Sequence, residues 1–238
     1  MKPVLSIAIP AHNEEKYIAR CIESIVRSAR LAGQPVEVVV ALNRCTDRTQ
    51  EVAESLGARC IVEDAKCIAT VRNAAVRATS ASAVATIDAD SWMSPNTVSA
   101  VLKHVYDARF IGGGTVIKLE HMSVGIFFSL LVLAPYLMKK RVSSGMFWFL
   151  RETFDAVGGF DDSLVNVEDI DFAVRLKAYG HARGKRFGTI WRQGITTSCR
   201  KFDQFGDWYF VRHPRLVKAI SEGRNMQAVN SFYYDVER

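Results

Sequence analysis

Two aspartates two positions apart, Asp88 and Asp90, are the sharpest chemical signal in this sequence. They follow the apolar run Val84 to Ile87. If extended geometry persists through Asp88-Ala89-Asp90, both carboxylates point to the same side, because strand side chains repeat every two residues. Two carboxylates leave most of an octahedral Mg2+ or Mn2+ shell to water and to substrate phosphate oxygens, which suits a nucleotide diphosphate. The same triplet would serve equally as an Asx turn capping the next helix, so its surroundings must decide. Polar residues also gather after two earlier apolar runs, as Pro10-Ala11-His12-Asn13-Glu14 and as Asn43-Arg44-Cys45-Thr46-Asp47, and Arg72-Asn73 sits near a helix start. Glu168-Asp169 comes much later, again at a helix start, where the macrodipole alone favours acids. Neither standard phosphate loop is present: GxxxxGK[ST] is missing, and Gly112-Gly113-Gly114 is not GxGxxG because Ile117 takes the last position.

The elements that must position these residues read as alternating strands and helices. Val4 to Ile9 is a buried strand, and Ile18, Cys21, Ile22 and Ile25 then recur at helical spacing. Val36 to Leu42 is the second strand; Val52 and Leu56 line a helix closed by Gly57, and Cys60 to Val62 is the third strand. Val71, Ala74, Ala75 and Ala78 face one side of a helix that leads into the strand Val84 to Ile87. Ser94-Pro95 reads as the start of another helix carrying Val98, Val101, Leu102 and Val105. Such alternation predicts an α/β fold with a mostly parallel central sheet and helices on both faces, whose ligands bind beyond the carboxyl ends of the strands.

After the glycine triplet the pattern changes. Thr115 to Leu119 can be a strand, and Met122 to Met138 is a long apolar stretch ending in Lys139-Lys140-Arg141. It is shorter than the roughly 20 apolar residues that span a bilayer, so a buried or acceptor-covering helix is expected, with a membrane-surface contact as the rival reading. At 238 residues, 49% hydrophobic and 24% charged, the chain can bury one sizeable core. A net charge of +6 favours anionic partners without choosing among them. Five cysteines without CxxC pairs argue against a disulfide framework or a zinc module and for a reduced, cytoplasmic setting.

Five ordered strings, SIAIPAHNEEKYIARCIESI, VVVALNRCTDRT, VRNAAVRA, TIDADS and VGGFDDSLVNVEDIDFAVRLKAYG, resemble the family 2 glycosyltransferases of the GT-A fold over roughly residues 4 to 180. The resemblance implies one domain, with a nucleotide-sugar-binding half over 1–111 and an acceptor-binding, catalytic-base half over 112–238. It places Pro10, Ala11, Asn13 and Glu14 in the nucleoside pocket, Asn43 on the base, Arg72 against base or phosphates, Asp88 near the ribose and Asp90 on the metal. Asp169 becomes the catalytic base, with Glu168 in reserve. The family commonly has aspartate where Leu42 stands and a small residue where Arg44 stands, which leaves the base open, uridine being the common case.

The expected reaction is inverting transfer from a nucleoside-diphosphate sugar to the hydroxyl of a lipid-linked or polysaccharide acceptor, with no nucleic-acid partner, at the inner face of the membrane if the apolar stretch touches it. Asp169 itself lies off the core side of a helix that runs from Glu168 to Gly180. From Arg175 to Lys201 the chain is basic with no acid, an ordinary solvated face, although Arg200 stands where related enzymes close a loop over the donor and would neutralise its departing diphosphate. A nucleotidyltransferase would need a glycine- and lysine-rich loop after the first strand, which Pro10 to Asn13 is not. A sugar-nucleotide-binding domain without turnover is the other alternative.

Overall fold

The computed structural model describes residues 2–140, 142–143, 145–164 and 167–213. Its strands are β1 (Leu5–Ala11), β2 (Val36–Leu42), β3 (Arg59–Val62), β4 (Ala83–Thr86), β5 (Ser91–Met93), β6 (Phe110–Leu119), β7 (Phe147–Leu150) and β8 (Arg186–Thr197). They form one sheet in the order β3-β2-β1-β4-β7-β6-β8-β5. The β3-β2-β1-β4 half is parallel throughout, as the sequence predicts. The other half is mixed: β7 runs against β4 and β6, β6 and β8 are parallel, and β5 runs against β8. The short strand β5 is absent from the sequence reading, which expected Ser94-Pro95 to open the next helix; that helix, α4 (Thr97–Val105), begins later.

Helix α1 (Ile18–Ala32) buries the predicted stripe Ile18, Cys21, Ile22 and Ile25, and ends at Gly33, whose φ of 60° is the left-handed conformation glycine adopts freely. With α4 it covers one face of the sheet, where Leu5, Ile7, Ile9 and Trp148 are buried. On the other face, α3 (Ile68–Ala78), α6 (Arg151–Val157) and α7 (Glu168–His181) pack around Phe147, Phe149, Phe154, Phe160 and Phe172. Between these layers the glycine triplet has a packing role. A Cβ on Gly113 would lie 2.1 Å from the Gly188 carbonyl oxygen and 2.4 Å from the Trp148 ring, so β6, β7 and β8 fit together only around a bare backbone.

Helix α5 (Val124–Lys140) corrects an expectation. Ile126 and Ser129 are buried, but Val124, Phe127, Phe128 and Leu131 are exposed, with Phe128 stacked on Trp208 at 5.8 Å. Among the described side chains, the buried-helix alternative therefore holds only for the face that carries Ile126 and Ser129, and the acceptor-covering alternative is untouched. The triplet Lys139-Lys140-Arg141 lies outside the residues whose side chains are described. No helix among the described residues is long and apolar enough to cross a membrane.

Candidate active site

Strand order reverses at β1, which has β2 and β3 on one side and β4 on the other. Such a switch point opens a crevice at the carboxyl ends of the strands. Pro10 marks it: the Ala8 carbonyl accepts from Ile87 N–H at 3.1 Å, and Pro10, two residues on, faces the same side after the β1–β4 ladder has stopped at Ala8 and Thr86. Its missing N–H costs nothing there. Ala11 continues the ladder with β2 opposite Leu42.

The loops that follow are tied together by short polar side chains. Asn13 adopts a left-handed φ of 51°, which asparagine tolerates, and its Oδ1 accepts from Thr46 N–H at 2.8 Å. Asp47 accepts from Glu15 N–H at 3.0 Å and from the Thr49 hydroxyl at 2.6 Å, and Thr49 Oγ1 in turn accepts from Glu14 N–H at 2.7 Å. Both amide hydrogens of Asn43 are used inside the chain, on the carbonyls of Glu63 at 2.6 Å and Ala65 at 2.8 Å. Its neighbour Arg44 has a φ of 49°, an uncommon conformation for a long side chain and one that clusters at ligand sites.

Asp88-Ala89-Asp90 does not continue the strand. Strand β4 ends at Thr86, and Ser91 N–H closes a turn onto the Asp88 carbonyl at 3.0 Å. The expectation of two carboxylates aligned by strand geometry is therefore corrected: the turn sends each to a different guanidinium. Asp88 pairs with Arg72 at 2.7 Å. Asp90 pairs with Arg200 at 3.0 Å and accepts from the Ser198 hydroxyl at 3.1 Å.

Arg72 is placed by its neighbour in sequence. Asn73 is buried, and its side chain exchanges both hydrogen bonds with the Phe160 backbone, each at 2.8 Å. That fixes α3 against the Gly158-Gly159-Phe160 turn, where a Cβ on Gly159 would sit 2.7 Å from Asn73 Oδ1. Arg72 consequently lies 5.9 Å from the Phe160 ring and 3.5 Å from Glu168, an ion pair too long to be a hydrogen bond. Burial alone would lower the Arg72 pKa, but Asp88 and Glu168 outweigh it and hold the guanidinium above the ordinary arginine value.

The apolar residues Ile170, Ala173 and Val174 suggest one core face for α7, but of these only Ala173 is buried, and the helix instead buries Phe172 and Leu176 with it; Glu168 points inward and is 4% exposed. Asp169 is half-buried, accepting from Ile170 N–H at 2.7 Å. Desolvation, and then the Glu168 charge, push its carboxyl up to about 7 against the opposing pull of Arg72. A carboxylate so poised matches what general-base work near neutral pH requires.

The second cluster joins residues far apart in sequence. Glu14, 4% exposed, takes both terminal nitrogens of Arg200, at 2.7 and 2.9 Å. Pairing of β5 with β8, braced by Ser91 and Thr197 hydroxyls at 2.9 Å, delivers Arg200 to Asp90. Five buried side-chain polar atoms among the described residues have no hydrogen-bond partner, and four of them belong to this crevice: Nε of Arg44, Arg72 and Arg200, and Oε2 of Glu168. Three orphaned guanidinium donors are a fit for an anionic ligand. No group of three or more His, Cys, Asp or Glu side chains that could hold a metal ion occurs among the described residues. Asp88 and Asp90, each paired with a guanidinium in this structure, would suit a hard cation only together with water and phosphate oxygens that complete its shell.

Sequence reasoning notes Asp47 and Asn73 without a role and passes over Thr49 and Ser198; the first three hold the loops and α3 in place, and Ser198 donates to Asp90. The Glu14–Arg200 pair carries no local signal at all.

A parallel half-sheet with a switch-point crevice lined by paired carboxylates and arginines has the GT-A architecture of nucleotide-sugar glycosyltransferases. Solved structures agree on that fold. Glucosyl-3-phosphoglycerate synthase from Mycobacterium tuberculosis, in complex with Mn2+, uridine diphosphate and glucosyl-3-phosphoglycerate, is 19% identical with a TM-score of 0.63, covering 94% of this chain and 82% of its own. A mannosyltransferase from Pyrobaculum calidifontis in complex with GDP-Man and Mn2+ is 20% identical with a TM-score of 0.61, covering 83% and 57%. The sequence matches the model of glycosyl transferase family 2 over residues 6–157, and the chain belongs to that family. Chondroitin synthases of Pasteurella multocida and Escherichia coli are each 23% identical over 98% of the chain. The chain spans 24% and 34% of their respective lengths.

Proposed function

We propose that this chain moves a sugar from a nucleoside-diphosphate donor, with uridine as its base, to an acceptor hydroxyl, inverting the anomeric centre, with Mg2+ or Mn2+ as cofactor. The observation that carries the reading is the carboxylate cluster at the start of α7, where Asp169 adjoins Glu168, Glu168 lies 3.5 Å from Arg72, and Arg72 pairs with Asp88 at 2.7 Å; burial there pushes the Asp169 carboxyl up to about 7. Asp169 takes the proton of the acceptor hydroxyl. The oxygen forms its bond to the anomeric carbon as the bond to the diphosphate breaks, and the diphosphate leaves with the electron pair. Arg72 and Arg200 stabilise charge growing on that leaving group, where fixed positive groups lower the barrier most. A divalent cation supplies further positive charge at the diphosphate, with Asp90 and Asp88 as the residues that would hold it. Pro10, Ala11, Asn13, Glu14 and Asn43 form the walls of the nucleoside pocket in the donor half, and Asp88 stands nearest the ribose.

Thermal shift with UDP, GDP and TDP, each with and without Mn2+, tests donor and metal together. A ligand at a hundredfold its Kd stabilises by about 2.7 kcal/mol, which raises the midpoint by roughly 5–10 °C for a chain of this size. Asp90→Ala is expected to lose the Mn2+-dependent part of that rise. Incubation with the UDP-sugar is expected to release free sugar and UDP. Pyrophosphate as product would point to a nucleotidyltransferase, and binding without any product to a domain that has no turnover.

The names of the chondroitin and hyaluronan synthases among the relatives favour a polysaccharide acceptor. The exposed apolar side chains at the start of α5, with Met122 beside them, favour contact with the inner face of a membrane and so a lipid-linked acceptor. Flotation with anionic vesicles is expected to carry the protein upward at low salt. Phe127→Ser with Leu131→Ser is expected to reduce that co-migration while leaving UDP binding unchanged. Vesicle binding unaltered by both substitutions would remove α5 from the membrane-contact reading.

A further inference from the structure

Arg200 is held by three short contacts, to both oxygens of the buried Glu14 and to Oδ2 of Asp90, and its Nε is buried without a partner. Its side chain is 13% exposed, and that of Asp90 only 15%. The Asp90 oxygen that Arg200 and Ser198 occupy is thus a poor ligand for a cation arriving alone. A dication at Oδ2 would have to displace the guanidinium and then remain beside it, two like charges in a crevice partly closed to water. A diphosphate entering at the same time removes that conflict, because its oxygens can satisfy both cations.

Resting on the donor reading above, we propose that Arg200 is the resident counter-ion of Asp90 and competes with the divalent cation, so that cation and donor diphosphate bind as a coupled pair. In the donor-free chain Arg200 bridges Glu14 and Asp90. When the diphosphate enters with its cation, Arg200 releases Oδ2, stays anchored on Glu14, and turns Nη2 and the unpartnered Nε onto the diphosphate. Glu14 is then a positioning residue that keeps the displaced guanidinium in the crevice. Asp90 exchanges one positive partner for another and is never left buried without one, which would be costly.

The test is direct measurement of Mn2+ binding to the full chain, by titration calorimetry or by the loss of the free-ion paramagnetic resonance signal, with and without UDP. Coupling between two ligands commonly spans about 5- to 150-fold, and UDP is expected to tighten Mn2+ binding by about tenfold or more. Arg200→Gln is expected to tighten binding of Mn2+ alone by about tenfold and to shrink the effect of UDP. Because that variant leaves Glu14 buried without its counter-charge, the double variant Glu14→Gln/Arg200→Gln replaces the ion pair by two neutral amides, and the same gain in affinity for Mn2+ alone is expected from it. Equal Mn2+ affinity with and without UDP, in a parent chain shown to bind UDP, overturns the proposal. So does an unchanged affinity for Mn2+ alone in the folded variants. Failure of the donor reading looks different: no nucleotide would bind the parent, while the gain in affinity for Mn2+ alone on removing Arg200 would persist.

Discussion

Asp169→Asn is expected to lower the rate of sugar transfer by roughly 10²- to 10⁴-fold, the usual worth of a general base, while UDP and Mn2+ bind as before. The pH dependence gives a sharper test. The unprotonated carboxylate is the active form, so the rate in the parent chain should climb as pH rises through about 7 and level off above it. Stability should move the other way. Folding raises this carboxyl from its ordinary 3.8 to about 7, so between those values the folded chain holds the proton more tightly than the unfolded chain does. Stability contributed by the protonated form is therefore lost as pH rises through that window. Asparagine has no charge to desolvate, so the thermal midpoint of Asp169→Asn, relative to the parent, should increase from pH 5 to pH 8. A variant that is inactive and also gains stability on the alkaline side marks a group held against its own preference for function. Full turnover by Asp169→Asn would transfer the role of base to Glu168.

Arg72→Met should be the most damaging single change to the fold of the site. Arg72 is the positive partner of Asp88 at 2.7 Å and of Glu168 at 3.5 Å, and the Glu168 side chain is only 6% exposed. Removing one member of a buried charge pair costs about 3–5 kcal/mol, because the other charge stays behind in a medium that cannot solvate it. A midpoint drop on the order of 10 °C follows for a chain of this length. Arg72 also opposes the rise in the Asp169 pKa, so any residual activity should need a more alkaline pH. Arg72→Lys keeps a charge but presents one ammonium where a guanidinium reaches two carboxylates, and it should fall between the two. Urea unfolding of the three chains ranks them, and equal stability for Arg72→Met would mean that Glu168 is not held by Arg72.

The first four strands and the α1 stripe were legible because burial on both faces leaves continuous apolar runs, and a helix packed on a sheet leaves a 3.6-residue repeat. Strand β5 was not legible: its three residues leave no periodicity, and it exists because β8 pairs with it. The buried face of α7 is hard to read for a related reason. Glu168 is buried by its ion pair with Arg72, and a hydrophobic pattern cannot register a carboxylate that faces inward. Within the candidate site, residue types were readable and partnerships were not. Asp88, Asp90 and Asp169 stand out in the string, but that Asp88 belongs with Arg72 and Asp90 with Arg200 depends on a turn and on a strand pairing formed across more than a hundred residues.

That strand pairing also sets a schedule. Synthesis delivers the β1–β4 segments before those of β6, β7 and β8, and the parallel half of the sheet can assemble early from neighbouring segments. Strand β8 then has to insert between β6 and β5, both of which emerged long before it. Until it does, Asp90 and Glu14 have no guanidinium between them and the β6–β5 edge stands open. Non-local strand pairings close slowly and leave such edges exposed meanwhile. The crevice should thus be the last part of the molecule to acquire its native charge balance during synthesis, and the nascent chain should be most prone to self-association in the interval before residues 186–200 have emerged.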